Sequence, residues 1–351
     1  MLRGLSQRVR TLLLASLLTL GLAAGGALLP VPYVELSPGP TYDTLGAVDG
    51  RPLIEITGHE TYPVTGHLNL TTVAVSDPGS SLDLGSAVRG WLDSRLAVVP
   101  REVIYPPGQS GKQVEERNAA DMLASQQHAT TAALRQLGIP VTSTVTVAAV
   151  ASGSPADGRL HQGEVVVAVD GTPVSSGNDL RAAVSKHKPA EPVTLTIRSG
   201  GTESTVTLQT APAPDDRNRA IIGVTVGEDP QYPFSVTIRL KDVGGPSAGL
   251  MFALGVVDRL TPENITGGQH IAGTGTIDDN GVVGPIGGVK QKIIGAHDQG
   301  ATVFLTPAGD CADARDRVPA GIRLVKVESL SGALTALEQV RTGSGPPPTC
   351  G

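Results

Sequence analysis

From Thr11 to Val34 the chain carries no charge, and Arg3, Arg8 and Arg10 stand just before that stretch. A helix of this length crosses a hydrocarbon layer of ~30 Å. The run therefore predicts a transmembrane helix over 11–31, with residues 1–10 as a basic cytoplasmic N-terminus. Positive residues ahead of a span keep that end inside and send the chain beyond the span outside. A cleaved secretory signal is the alternative, because Ala23, Ala24 and Ala27 offer small residues for cleavage. The run exceeds the ~7–15 apolar residues of a signal core, which favours a retained anchor. Either way the bulk of the chain is extracytoplasmic.

The 351 residues suffice for two or three domains. Aromatics make up only 3% of the chain, against 44 Gly and 27 Pro, which predicts short strands, many turns and aliphatic packing. A net charge of −6, with no basic stripe interleaved with aromatics, excludes a nucleic-acid groove. Cys311 and Cys350 lack metal-ligand spacing, so no metal is expected; paired and unpaired thiols both remain open.

Residues 32–140 read as an extracytoplasmic segment with strands and one helix. RPLIEITG and HLNLTTVAV are strand-like, the latter placing Leu68, Leu70 and Thr72 on one side by alternation. Glu115–Leu137 reads as a helix ended by Gly138 and Pro140. From Val141 to Thr210 the pattern changes to strand, turn-rich SPADGRLHQGE, strand VVVAVDGTPV, a short helix NDLRAAVSKH and a hairpin. APAPDDRNR, 211–219, reads as a linker. A last domain spans 220–340, and RTGSGPPPTCG, 341–351, reads as a disordered tail.

The segment GGPSAGL, Gly244–Leu250, decides the chemistry. Ser247 can be a helix cap, part of a phosphate loop, or a nucleophile. The lysine of GxxxxGK[ST] is missing here, and GQSGKQ at 108–113 has Pro106 where the first glycine belongs, so no ATP site is expected. A nucleophile needs a base. His270 and His297 stand in no recognisable arrangement with a carboxylate. Downstream, the DDNG run reads as a hairpin turn, and Gly287-Gly288 opens a helix that carries Lys290 and, on a different face, Lys292.

The order of elements over 141–210 resembles a PDZ domain of the bacterial protease-associated type. That resemblance implies peptide binding by strand addition, with Leu137, Gly138 and Ile139 in the position of the peptide-holding loop. GGPSAGL, followed 43 positions later by the lysine of GPIGGVKQK with Gly273-Thr274-Gly275 between them, resembles the proteolytic domain of the Lon proteases. Together with the anchor, the whole chain resembles the bacterial membrane-anchored, ATP-independent Lon-like proteases. This implies an α/β (α+β) fold with a PDZ-like module inserted before a Lon-type domain. It implies Ser247 as nucleophile, Lys290 as general base, Thr274 orienting the lysine, and Lys292 as the motif's second lysine, not the base. Gly245, Pro246 and Ala248 support the site, with amides from Gly245 to Ala248 as candidate oxyanion donors. Gly244 stands where an acidic residue is usual.

The expected activity is ATP-independent endoproteolysis of unfolded or flexible protein segments outside the cytoplasm. The expected partners are protein or peptide substrates and the membrane, with no cofactor and no nucleic acid. The resemblance adds a homo-oligomer, with a hexamer as its form. Two alternatives are a non-catalytic membrane-anchored PDZ scaffold with an inactive peptidase domain, and a signal-peptidase-like Ser/Lys enzyme.

Overall fold

A computed structural model of the chain describes residues 7–77, 79–241 and 243–351. In chain order the principal helices are α1 (Gln7–Ala27), α2 (Gly111–Gln136), α3 (Gly177–Val184), α4 (Gly249–Leu260), α5 (Val289–Asp298) and α6 (Leu330–Thr342). The principal strands are β1 (Tyr33–Asp43), β2 (His67–Val75), β3 (Ala97–Pro100), β4 (Thr142–Val150), β5 (Val165–Val169), β6 (Pro192–Ser199) and β7 (Thr202–Gln209). They continue with β8 (Val224–Gln231), β9 (His270–Gly273), β10 (Thr276–Ile277), β11 (Val283–Gly284), β12 (Val303–Pro307) and β13 (Arg323–Val327). α1 is one helix long and apolar enough to cross a membrane.

The chain folds as two compact units. One is formed by residues up to Leu137 together with Val236–Gly351, the other by Gly138–Ser235. The first unit is built on a mixed sheet of order β13-β12-β9-β2-β1-β3. β2, β9, β12 and β13 run parallel, while β1 is antiparallel to both its neighbours. The sequence predicts alternation in HLNLTTVAV, yet Leu68, Asn69, Leu70 and Thr71 are all buried. β2 lies inside the sheet, and an interior parallel strand covered on both faces loses its polar side. β12 is buried along its whole length for the same reason.

α4 is apolar nearly all round and buried at every position but Arg259, so it serves as the central helix of the unit. α2 starts at a capping box formed by Ser110 and Gln113 and buries Val114, Met122, Ser125 and Ala129. α5 opens at Gly288, whose φ of +70° and closeness to Val73 leave no room for a side chain. Val289, Ile293 and Ala296 then face a core with Ala272 and Phe304.

The second unit is an antiparallel sheet of order β7-β6-β5-β4-β8, with α3 beside it. Its core includes Val145, Val166, Leu180, Val193, Leu195 and Ile222. The Asp170-Gly171 turn has both residues at positive φ, as a two-residue hairpin of this type demands.

Three expected boundaries differ. Residues 32–140 are no separate segment, because β1, β2 and β3 belong to the same sheet as β9, β12 and β13. The supposed linker 211–219 is folded, with Ala211–Pro212 paired to Ala220–Ile221, and β8 joins the 138–235 sheet rather than the last domain. The tail expected to be disordered is fixed: Pro348 O accepts the Lys326 N–H at 2.9 Å, and Cys350 forms a disulfide with Cys311.

Candidate active site

Ser247 lies in the turn just before α4, whose N-cap residue Ala248 makes no side-chain cap bond. The serine is therefore not the helix cap. Its loop is held from two sides. From α2, Asn118 O accepts the Gly245 N–H at 2.8 Å, and Ser125 Oγ donates to Pro246 O at 2.9 Å. A Cβ on Gly244 would stand 2.6 Å from that of Asn118, so glycine permits this approach. From the sheet side, Ser247 O accepts from Gly275 N–H at 2.9 Å and Thr274 Oγ1 at 3.0 Å. α2 also braces the β10–β11 turn: His128 Nδ1 is 2.7 Å from Asp279 Oδ1, and Arg135 donates to Asp279 O at 2.9 Å.

The amine that meets Ser247 is that of Lys292. Its Nζ lies 2.8 Å from Ser247 Oγ and 3.0 Å from Thr274 Oγ1. Lys292 is 3% exposed, and burial lowers its pKa to about 8, against the pull of the Asp310 carboxylate, which favours the ammonium. The Asp310 carboxyl is itself raised by burial, and its Oδ2 accepts the Ile286 N–H at 3.0 Å.

This corrects the sequence assignment. Lys290 forms a surface ion pair, its Nζ 2.8 Å from Asp316 Oδ2 with the side chain 38% exposed. Residues two apart on a helix differ by ~200° in direction, so the two lysines cannot share a target. Thr274 stands where the sequence places it, fully buried between the lysine and the serine loop. The supporting residues divide. Gly245, at φ +85°, has already committed its N–H to Asn118, and Pro246 has none, so both shape the loop and neither is a free donor. Ala248 remains beside the serine.

Ser247 and Lys292 open onto a cavity of ≈ 400 Å³ walled by Pro40, Tyr42, Leu70–Ala74, Met122 and Gly287. Most of that wall comes from β1, β2 and α2, segments that the sequence alone assigns to a different domain.

The 138–235 unit holds a second concavity, of ≈ 210 Å³, between α3 and the stretch Arg219–Val226. Leu137, Gly138 and Ile139, the residues expected to hold peptide, do not line it. Leu137 instead caps α2, and Gly138 follows at φ +69° as a helix stop. Ile222 O and Gly223 O accept from Ala156 and Ala151 N–H. In a trans peptide the N–H points opposite to its carbonyl, so the Gly223 and Val224 amides face away from Ala156 and Ala151, and both residues line the cavity.

Comparison with known proteins places both units. Residues 240–337 match the Lon protease (S16) C-terminal proteolytic domain, and residues 114–210 match the PDZ domain family. The chain thus carries a Lon-type proteolytic domain, of serine-peptidase class, together with a PDZ domain. It is 43% identical over 79 residues to Lon protease 1 of Sorangium cellulosum, covering 22% of this chain and 9% of that protein. It is 38% identical over 105 residues to the Lon protease of Clostridioides difficile, covering 29% and 13%. The chain spans about a tenth of the length of these relatives. Among solved structures, the PDZ domain of an SdrC-like protein from Listeria monocytogenes covers 23% of this chain and 85% of that domain, at 20% identity and TM-score 0.22. The PDZ match ends before β8, the strand that completes one wall of the smaller cavity.

Proposed function

We propose that the chain is a membrane-anchored, ATP-independent serine endopeptidase that works through a Ser247–Lys292 dyad outside the cytoplasm. The observation that carries this is a buried amine 2.8 Å from a serine hydroxyl that opens onto a cleft. Neutral Lys292 takes the proton of Ser247 as Oγ attacks the scissile carbonyl carbon. The oxyanion is held by the amides that remain after Gly245 and Pro246 are set aside, those of Ser247 and Ala248. Collapse of the tetrahedral intermediate breaks the C–N bond, and the ammonium returns its proton to the leaving amine. Water, deprotonated by the same lysine, then hydrolyses the ester and frees Ser247. Thr274 accepts one hydrogen from the lysine amine and donates its own to Ser247 O, so base and nucleophile are held in one frame.

The Cys311–Cys350 disulfide supports the exported location, since such bonds persist mainly in oxidising compartments. With no ATP-driven unfolding step, substrates are unfolded or flexible protein segments. The PDZ groove, with two amides and Arg219 at one end, takes a free peptide carboxylate and so selects or positions them. Ring assembly, a hexamer by resemblance, belongs to the same proposal.

The test uses the full chain in detergent with an unfolded, fluorophore-quenched protein, and records particle mass alongside cleavage. Ser247→Ala and Lys292→Ala should each fall by about 10³-fold or more, while Lys290→Ala cleaves like the wild type. A dead Lys290→Ala beside an active Lys292→Ala removes the dyad. No cleavage by any assembled form leaves the non-catalytic PDZ scaffold.

A further inference from the structure

We propose that Glu228 latches the far end of the PDZ groove, so that the groove reads only about the last three residues of a free, apolar carboxyl terminus. This rests on the peptide-binding reading of the same groove. The Glu228 carboxylate accepts the N–H of Gly177, the first residue of α3, at 2.6 Å. A Cβ built on Gly177 would stand 3.0 Å from Val226 Cγ2, so the start of α3 lies directly against β8. No second backbone passes between them there.

The groove runs on the helix side from Gly177, where the latch closes it, to Val184, opposite the stretch Arg219 to Val226. Seven residues of helix rise about 10 Å. An extended peptide advances about 3.3 Å per residue, so about three residues fit before the chain meets the latch. The walls at Leu180, Val184, Ile222 and Val224 suit an aliphatic last side chain. The carboxylate end is set by the Gly223 and Val224 amides, with Arg219 and Arg181 as cations on the rim. Arg219 also pairs with exposed Asp215, and Arg181 with Asn178. Residues further upstream in a ligand then leave the sheet direction and add little affinity. The site is therefore tolerant of sequence beyond the last three positions. Glu228 is exposed and is not a member of the unit's hydrophobic core, so its replacement removes the latch without removing the fold.

The test is competition binding to the full chain carrying Ser247→Ala, in detergent, against a fluorescent octapeptide ending in Val with a free carboxylate. Competitors are the matching tripeptide and octapeptide, each free and C-amidated. With Glu228 present, the free tripeptide and octapeptide should bind within about twofold of one another. In Glu228→Ala the octapeptide should gain about tenfold or more over the tripeptide. Glu228→Gln, which keeps an acceptor oxygen for Gly177, should behave as Glu228 does. A tenfold length gain already present with Glu228, or identical length dependence in all three forms, overturns the latch while leaving the groove intact. Amidated peptides binding as well as free ones, or no binding to any form, overturns the groove and the latch with it.

Discussion

If Lys292 is the base, the rate must follow its neutral fraction, and burial sets that fraction. With a pKa of about 8, roughly 1% of the amine is neutral at pH 6, about 10% at pH 7 and about half at pH 8. kcat/KM should therefore rise about tenfold per pH unit from 6 to 7.5 and level off by about pH 9, an overall span of nearly 100-fold. The shift from the usual value of 10.5 corresponds to ~3 kcal/mol of preference for the neutral amine. Asp310 works against that preference. Asp310→Asn keeps an oxygen for the Ile286 N–H and removes the charge that favours the ammonium. The limb should then move to lower pH, by about one unit, and the variant should outrun the parent at pH 6.5. The assay is initial-rate cleavage of a quenched unfolded protein at constant ionic strength, corrected with Lys292→Ala at each pH. A profile flat between pH 6 and 9, a midpoint near 10, or an upward shift in Asp310→Asn would each refute the buried-amine argument.

Three other perturbations address particular contacts. Ser125→Ala removes the bond to Pro246 O and leaves that carbonyl unpaired from α2; kcat should fall about tenfold with KM little changed, as expected for ~1–2 kcal/mol lost from the nucleophile loop. Cys350→Ser releases a loop of sequence separation 39, and its chain entropy corresponds to ~4 kcal/mol; denaturant titration should show that loss, and an unchanged midpoint would mean the tail adds nothing. Asp258 is buried with its carboxyl raised to about 6, so its stabilising protonated form is fully present below pH ~4 and lost as pH rises through 6. Asp258→Asn, which keeps an acceptor for the Ile265 N–H at the same place, should raise stability by ~1–3 kcal/mol at pH 7.5 and hardly at all at pH 4; a gain equal at both pH values would show that charge is not the cause.

Ser247 and its neighbour Thr274 are legible in the sequence because GGPSAGL and GTG are unusual strings whose glycines are needed for close approach. The lysine that meets Ser247 is harder to read, since two lysines stand two positions apart, and motif resemblance selects Lys290 where the fold brings Lys292. The sequence does hold a signal that separates them. Val289, Ile293 and Ala296 mark the buried stripe of α5. At 100° per residue, Lys292 falls about 70° from the centre of that stripe and Lys290 about 90° away on the other flank. That margin is small beside the pull of a whole motif. The concavity of the 138–235 unit is missed in the sequence for another reason. The strand that completes the groove, β8, follows a proline-bearing stretch that looks like a linker, and the two-residue pairing of Ala211–Pro212 with Ala220–Ile221 is too short to leave a strand pattern in either segment. The disulfide is undecidable from spacing, since only the fold brings the tail back to Cys311.

The N-terminal segments change what the proteolytic unit is. The family match begins at 240, yet a fragment starting there would hold only β9, β12 and β13 of the six-stranded sheet. β9 would present a bare parallel edge where β2 now lies, with Ile271 and Ala272 uncovered. α5 would lose the surface against which Gly288 and Gly295 are fitted, at Val73 and Gly39 O. Since α5 sets the height of Lys292 over Ser247, the amine would lose both its position and its dry surroundings. Burial is what lowers its pKa, so the same loss would return it toward a permanently charged state. The Ser247–Lys292 contact is thus a property of residues 33–137 as much as of the segment that carries the two side chains, and residues 138–235 are an insertion in the sequence of that one compact unit.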